Sequence, residues 1–153
     1  MTGIRSFKIR DLSEVVTIEN ECFDPPWPFS TFFMLAIRGG VMRDNEGELQ
    51  MVVYENAGKI AAYVVWEYDI IMKEGHLLNI AVTKNFQRQG IGTLLAEYFL
   101  NSLKRSMATR CFLEVREGNL PARRFYERLG FHPIDRSIDY YESEDAIIYE
   151  IRF

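Results

Sequence analysis

The residues from Gln87 to Thr93, Gln-Arg-Gln-Gly-Ile-Gly-Thr, put two glycines and an arginine within one short turn. An apolar run, Leu77-Leu78-Asn79-Ile80-Ala81-Val82, comes before them, and apolar residues follow at Ile91, Leu94, Leu95, Tyr98, Phe99 and Leu103. Offsets of three and four bury one stripe of a helix, so the order is strand, glycine turn, helix. The first amides of a helix lack partners, and its dipole favours negative charge there. A glycine removes the Cβ that would hold a phosphate away from those amides, and Arg88 adds a full positive charge beside them. Arg88, Gln89, Gly90, Ile91, Gly92 and Thr93 therefore read as a cradle for a pyrophosphate. A turn that needs glycine for backbone reasons accounts for the same pair, so the glycines alone do not decide. A P-loop is excluded, because Gly92 is followed by Thr93-Leu94 and not by Lys-Ser or Lys-Thr. The three-glycine dinucleotide fingerprint is absent as well.

The rest of the composition narrows the class. A chain of 153 residues with 48% apolar content supports one domain with a packed core. No apolar run reaches membrane-spanning length, and Met1 to Arg10 lacks the apolar centre of a signal peptide. Cys22 and Cys111 are the only cysteines and have no metal-site spacing, so no metal is expected and a reducing, cytoplasmic location is. A net charge of −4 argues against nucleic acid as the main partner. The charge is uneven: Lys84 to Arg128 holds nine basic and four acidic residues. A basic middle suits a polyanionic ligand and an acidic remainder a cationic substrate; chance segregation on a solvated surface gives the same counts.

The elements around the cradle follow from local signals. Ile4 to Arg10 is a first strand. Asp11 and Glu14 make a capping box for a helix with the stripe Leu12, Val15, Val16, Glu19, Cys22 and Phe23. That helix ends by Asp24, since Pro25-Pro26-Trp27-Pro28 cannot continue it. Trp27 and Phe29 offer an apolar wall for a substrate groove, or else a latch between helices. Ser30 caps a second helix over Thr31 to Arg38, closed by Gly39-Gly40. Met42 to Glu48 reads as a polar loop. Leu49 to Tyr54 and Ile60 to Tyr68 form a hairpin that continues antiparallel into the central strand. Cys111 to Arg116 is a strand reached through a helix, and so parallel to the one before. Asn119 caps a last helix with Pro121 in its first turn and Gly130 after its end, and Ile134 to Phe153 is a hairpin. The fold class is α/β: a mixed, largely antiparallel sheet with one splayed parallel strand pair, flanked by about four helices.

Four local sequences, taken with this order, resemble the acetyl-CoA signatures of the GNAT superfamily of N-acetyltransferases. They are Asn79-Ile80-Ala81-Val82; Gln87-Arg88-Gln89-Gly90-Ile91-Gly92; Leu113-Glu114-Val115-Arg116 with Asn119; and Phe125-Tyr126-Glu127-Arg128-Leu129-Gly130-Phe131. Tyr140-Tyr141 with Glu144-Asp145-Ala146, and the proline-tryptophan loop, are similar to the RimI/Ard-type branch, which acetylates protein N-termini. The resemblance spans nearly the whole chain and implies a single acetyltransferase domain over residues 1–153. It implies acetyl-CoA as donor, with Ile80, Ala81 and Val82 addressing the pantetheine arm. Arg88 to Thr93 then hold the pyrophosphate, Asn119 contacts the cofactor and Tyr126 sits by the thioester sulfur.

The same resemblance implies Glu114 as the base, acting through a water, and Tyr126 as the acid for the departing thiolate. An α-amine has a pKa near 8, roughly two units below lysine, and must lose its proton to attack. The backbone N–H of Val82 is the candidate for the oxyanion. Glu114 paired with Arg116 or Arg88, and Tyr126 as a plain core residue, are the structural alternatives. His76 is a second candidate base or a strand-edge residue. The peptide groove is expected between Pro26 and Trp27 on one side and Tyr140 and Tyr141 on the other. Near it only Glu21 and Asp24 are acids able to select a first residue, and relaxed specificity is expected. An enzyme acting on lysine or a small amine, and a silent acyl-CoA-binding module, are the competing readings.

Overall fold

The computed structural model describes residues 1–153. The chain runs β1 (Gly3–Ser6), a 3-10 turn (Ile9–Asp11), α1 (Leu12–Cys22), α2 (Phe29–Ile37), β2 (Val41–Arg43), β3 (Gly47–Asn56), β4 (Lys59–Asp69) and β5 (Glu74–Val82). It continues through α3 (Ile91–Arg105), β6 (Arg110–Arg116), α4 (Leu120–Arg128), β7 (His132–Tyr141) and β8 (Glu144–Arg152). All strands share one sheet in the order β1-β3-β4-β5-β6-β8-β7, with β2 also on β3. Only β5 and β6 pair in parallel; every other pair is antiparallel.

Each face of the sheet buries its own core. Trp66 and Leu113 pack against Leu95, Phe99 and Leu103 of α3, while Phe7 and Tyr63 pack with Val15 of α1 and Phe32 and Leu35 of α2. Strand β4 lies between the two and is buried from Ile60 to Trp66, which is why its sequence is a continuous apolar run and not an alternation. In the β3–β4 turn Ala57 and Gly58 both have positive φ, the geometry of a tight hairpin.

Besides the Ser30 cap, absent because α2 begins at Phe29 with Pro28 at its N-cap position, three local expectations are overturned. The first strand ends at Ser6, not Arg10. Asp11 does not cap α1 with its side chain, and Glu14 accepts instead from the Ile60 N–H at 2.9 Å. The stretch from Met42 to Glu48 is not all loop, because β2 and the start of β3 pair within it. The first two share a cause. The Arg5 guanidinium grips both Asp11 oxygens at 2.8 Å and Glu55 at 2.7 Å. Asp11 also accepts from the Lys8 N–H at 2.9 Å, so a charged bidentate partner has outcompeted a helix cap.

Burial opposes ionisation of Asp11, but the bonds from Arg5 and Lys8 outweigh it and hold its pKa below the usual carboxylate value. A depressed folded-state pKa contributes stability above the unfolded pKa and loses it as pH falls. Asp11→Ala leaves Arg5 with Glu55 as its acidic partner and removes the charged bonds to Asp11, and is expected to cost about 2 kcal/mol near neutral pH. Urea denaturation of both proteins should show the gap narrowing towards about pH 3.

Candidate active site

Strands β5 and β6 pair only through Glu74–Arg110, Gly75–Cys111 and His76–Phe112. Beyond that point they separate. The β4–β5 register shifts at the same place: Trp66 pairs with Leu77 and Val65 with Asn79, leaving Leu78 as the extra residue of a bulge. The bulge changes which way the strand faces. Leu77 packs under α3, whereas Asn79 bonds to α1 and Ala81 packs under α1 and α2. Thr83 N–H bonds to the Ala61 carbonyl. Antiparallel alternation then turns the backbone N–H and C=O of Ile80 and Val82 away from β4, towards the gap.

The gap is the mouth of a cavity of about 500 Å³ lined by Glu19, Trp27, Asn79, Glu114, Tyr126 and Tyr141, among others. None of Arg88 to Thr93 lines this cavity; they lie further along the chain from Ile80, where Gly90 adopts φ +82° and α3 has no side-chain cap. Arg88 is also left-handed, with φ +61°, and takes part in none of the ion pairs. The Gln87 side chain donates to the Val82 carbonyl at 2.9 Å, closing the turn back onto β5. Gly90 is required by its backbone. Gly92 is not required by close packing: a Cβ there would first meet Phe125 at 3.5 Å, an ordinary contact. The α4 helix differs, because Asn119 accepts from the Ala122 N–H at 3.3 Å. The uncapped amides, the bare Cα of Gly92 and the free Arg88 suit a diphosphate.

Glu114 lies on the face of β6 opposite Leu113 and Val115. It pairs with neither Arg116 nor Arg88. Its Oε2 is 2.7 Å from His76 Nε2, while His76 Nδ1 is 3.2 Å from Glu67 Oε1. The imidazole stacks on Phe112, with ring centres 4.2 Å apart. Arg116 instead lies over the Tyr141 ring at 4.2 Å and pairs with Glu144 at 3.6 Å. Tyr126 on α4 packs edge-on against Phe125 and Phe131. Its hydroxyl bonds to no group of the chain, and it is not buried, unlike the hydroxyl of a core tyrosine. Burial of the side chain, and then the nearby Tyr141 and Cys111, push the phenol above its ordinary value, so it holds its proton at neutral pH. Burial also raises Tyr141, to about 12.

Trp27 and Tyr141 line the cavity, but Pro26 and Tyr140 do not; both are exposed, and Pro25 lines it in place of Pro26. Phe29 is exposed as well. Ile80 and Asn119 line the cavity, Val82 packs towards α3, and the Ala81 side chain is buried on the far face. Gln89 reaches back to the Asn85 carbonyl at 3.3 Å. Glu21 accepts from the Lys84 N–H at 2.8 Å and is outside the lining, leaving Asp24 as the loop acid at the cavity. Glu19, Asn79 and Glu67 had no assigned role from sequence. An acid within the apolar stripe of α1 was the one visible signal, at Glu19.

The chain matches the model of the Acetyltransferase (GNAT) family over residues 12–131. It is 34% identical to the ribosomal protein bS18-alanine N-acetyltransferase of Escherichia coli strain K12, over 97% of this chain and 95% of that protein. It is 28% identical to an N-alpha-acetyltransferase of Sulfurisphaera tokodaii, over 95% of this chain and 89% of that one. The crystal structure of the ribosomal-protein-S18-alanine N-acetyltransferase from Escherichia coli superposes with a TM-score of 0.79 at 30% identity, covering 99% of this chain and 94% of that chain.

Burial opposes the charged form of His76, but bonds and charge from Glu114, then Glu67, outweigh it and raise its pKa. A raised histidine stabilises the fold fully below its unfolded pKa, about 6.5, and less as pH rises through the folded one. His76→Gln should therefore lose more stability at about pH 6 than at about pH 9, measured by denaturant unfolding at both.

Proposed function

Because the chain belongs to the acetyltransferase (GNAT) family, we propose that it moves the acetyl group of acetyl-CoA to the free α-amine of protein N-termini, alanine among them. The observation that carries this reading is convergence on one cavity. Ile80, Glu114, Asn119 and Tyr126 all line it, and the Val82 N–H and the uncapped α3 amides follow along the chain from Ile80. The N-terminal substrate is supported by similarity, along nearly the whole length, to enzymes named for that reaction.

In this reading Arg88 and the amides from Gln89 to Thr93 hold the diphosphate, and Ile80 to Val82 align the pantetheine arm. Asn119, whose Oδ1 caps α4, has its amide nitrogen left for the donor. Glu114 takes the proton of the α-ammonium through a water. The amine then attacks the thioester carbonyl, a C–N bond forms, and the Val82 N–H steadies the oxyanion. As the C–S bond breaks, Tyr126 gives the thiolate its proton, and the second proton shed by the new amide nitrogen passes through water to restore the phenol. A partly exposed carboxylate held by His76 remains accessible to that water, which a fully buried ion pair would exclude. Trp27 and Tyr141 form the two walls along the peptide.

Mass spectrometry after incubation with acetyl-CoA tests the reading. Peptides with a free N-terminal alanine should gain one acetyl group, and lysine-containing peptides with blocked N-termini should gain none. Acetylation of the blocked peptides would assign the lysine reaction instead, and acetyl-CoA binding without transfer would assign a silent module. Tyr126→Phe and Glu114→Gln should each lower kcat about 100-fold with the acetyl-CoA KM nearly unchanged. Gly92→Ala separates ligand from fold. The chain has room for the new Cβ, so thermal stability should hold or rise slightly. The acetyl-CoA KM should nonetheless rise about tenfold, the loss of roughly one amide–phosphate contact.

A further inference from the structure

The Trp27 wall of the groove and the strand β5 beside it come from distant parts of the chain, and one buried group touches both. Glu19 on α1 is 1% exposed. Its Oε2 accepts from the Trp27 N–H at 2.8 Å, and its Oε1 accepts from Asn79 Nδ2 at 2.7 Å and from the Tyr63 hydroxyl. No lysine, arginine or histidine pairs with it. Burying a carboxylate without a cation is costly even when hydrogen-bonded, and an apolar side chain would suit the α1 stripe better. What the carboxylate supplies is geometry. Prolines have no N–H, so Trp27 has the only backbone donor between Pro25 and Pro28. Glu19 takes that donor. Its other oxygen holds Asn79, the residue next to the Leu78 bulge where β5 leaves β6.

We propose that Glu19 is a positioning residue that fixes the Trp27 wall of the peptide groove, tying the Trp27 loop and the bulged strand β5 to a single carboxylate. The proposal rests on the N-terminal transfer reading. Both tied elements line the same cavity as Glu114, so a change in their separation alters how a peptide enters beside it. The diphosphate cradle belongs to the α3 turn, which Glu19 does not touch. The consequence is therefore selective: loss of Glu19 weakens peptide binding and leaves the donor side intact. A Gln at this position differs from an Ala. Its amide would set one donor against the Asn79 and Tyr63 side, and Asn79 relieves this by turning its own amide to present oxygen.

Steady-state kinetics on Glu19→Ala and Glu19→Gln test the proposal, with thermal unfolding run alongside. Glu19→Ala should raise the peptide KM about tenfold or more, with kcat and the acetyl-CoA KM within about twofold. Glu19→Gln should recover most of the peptide KM, to within about threefold of wild type. Asn79→Ala cuts only the strand's tie and should raise the peptide KM by less than Glu19→Ala does; this variant carries the test if Glu19→Ala does not fold. An unchanged peptide KM, or parallel losses in both KM values and in stability, would overturn the positioning role. Wild-type protein that fails to acetylate peptides would overturn the functional reading instead. Amide hydrogen exchange at Trp27 then decides the tie by itself: exchange about tenfold faster in Glu19→Ala supports it, and an unchanged rate overturns it.

Discussion

Where β5 parts from β6, a row of backbone amides and carbonyls loses its partners after three residue pairs. Interior backbone groups without partners are expensive, so a sheet does not open in this way unless something else satisfies them. Here the opening is built in. The extra residue at Leu78 breaks the β4–β5 register immediately past the last β5–β6 pair, turning Ile80 and Val82 to the gap while Ala81 stays in the core under α1 and α2. The rest of the site is arranged along that seam. The α3 amides lie beyond its open end, the β6 carboxylate faces it, and α4 brings Tyr126 over it.

Charge along the seam is divided by element. The cationic Arg88 and the uncapped α3 terminus occupy one end. Carboxylates occupy the other, each in a different setting. Glu114 leans on His76, which leans in turn on Glu67, so the imidazole faces an acceptor on both sides and its charged form is favoured. Glu19 is surrounded by neutral donors only. One carboxylate is thus left reachable from the cavity, while the other is locked into the framework. This division suits an anionic donor meeting a cationic amine, the pairing proposed for this chain.

Electrostatic demands also explain where local sequence signals failed. Asp11 has the type and spacing of a helix cap, yet Arg5, six residues earlier, offers two charged bonds where a cap offers one neutral N–H. Glu14 is diverted in the same manner to the edge of β4. Met42 to Glu48 carries a loop's composition, and pairs anyway because β3 extends far enough to give it a neighbour. In each case a partner outside the local motif outweighed a preference set by adjacent residues.

Periodicity and turn chemistry were sufficient to order the elements, because each depends on a few consecutive residues: the stripe of α3 (with Leu94 and Tyr98 exposed against expectation), the glycine turn at Gly90, the Asn119 cap, the hairpin before β4. They also placed Glu114 on a strand and Tyr126 on the helix after it. The Leu78 bulge was not legible, since a bulge is defined by the partner strand and not by the bulged one. The same holds for the His76 bridge, whose two carboxylates come from β4 and β6, and for Pro25 replacing Pro26 at the cavity. Glu19 marks the boundary most clearly. Its position among apolar residues was visible in the chain, but its role depends on Trp27, Tyr63 and Asn79, which only folding brings to one carboxylate.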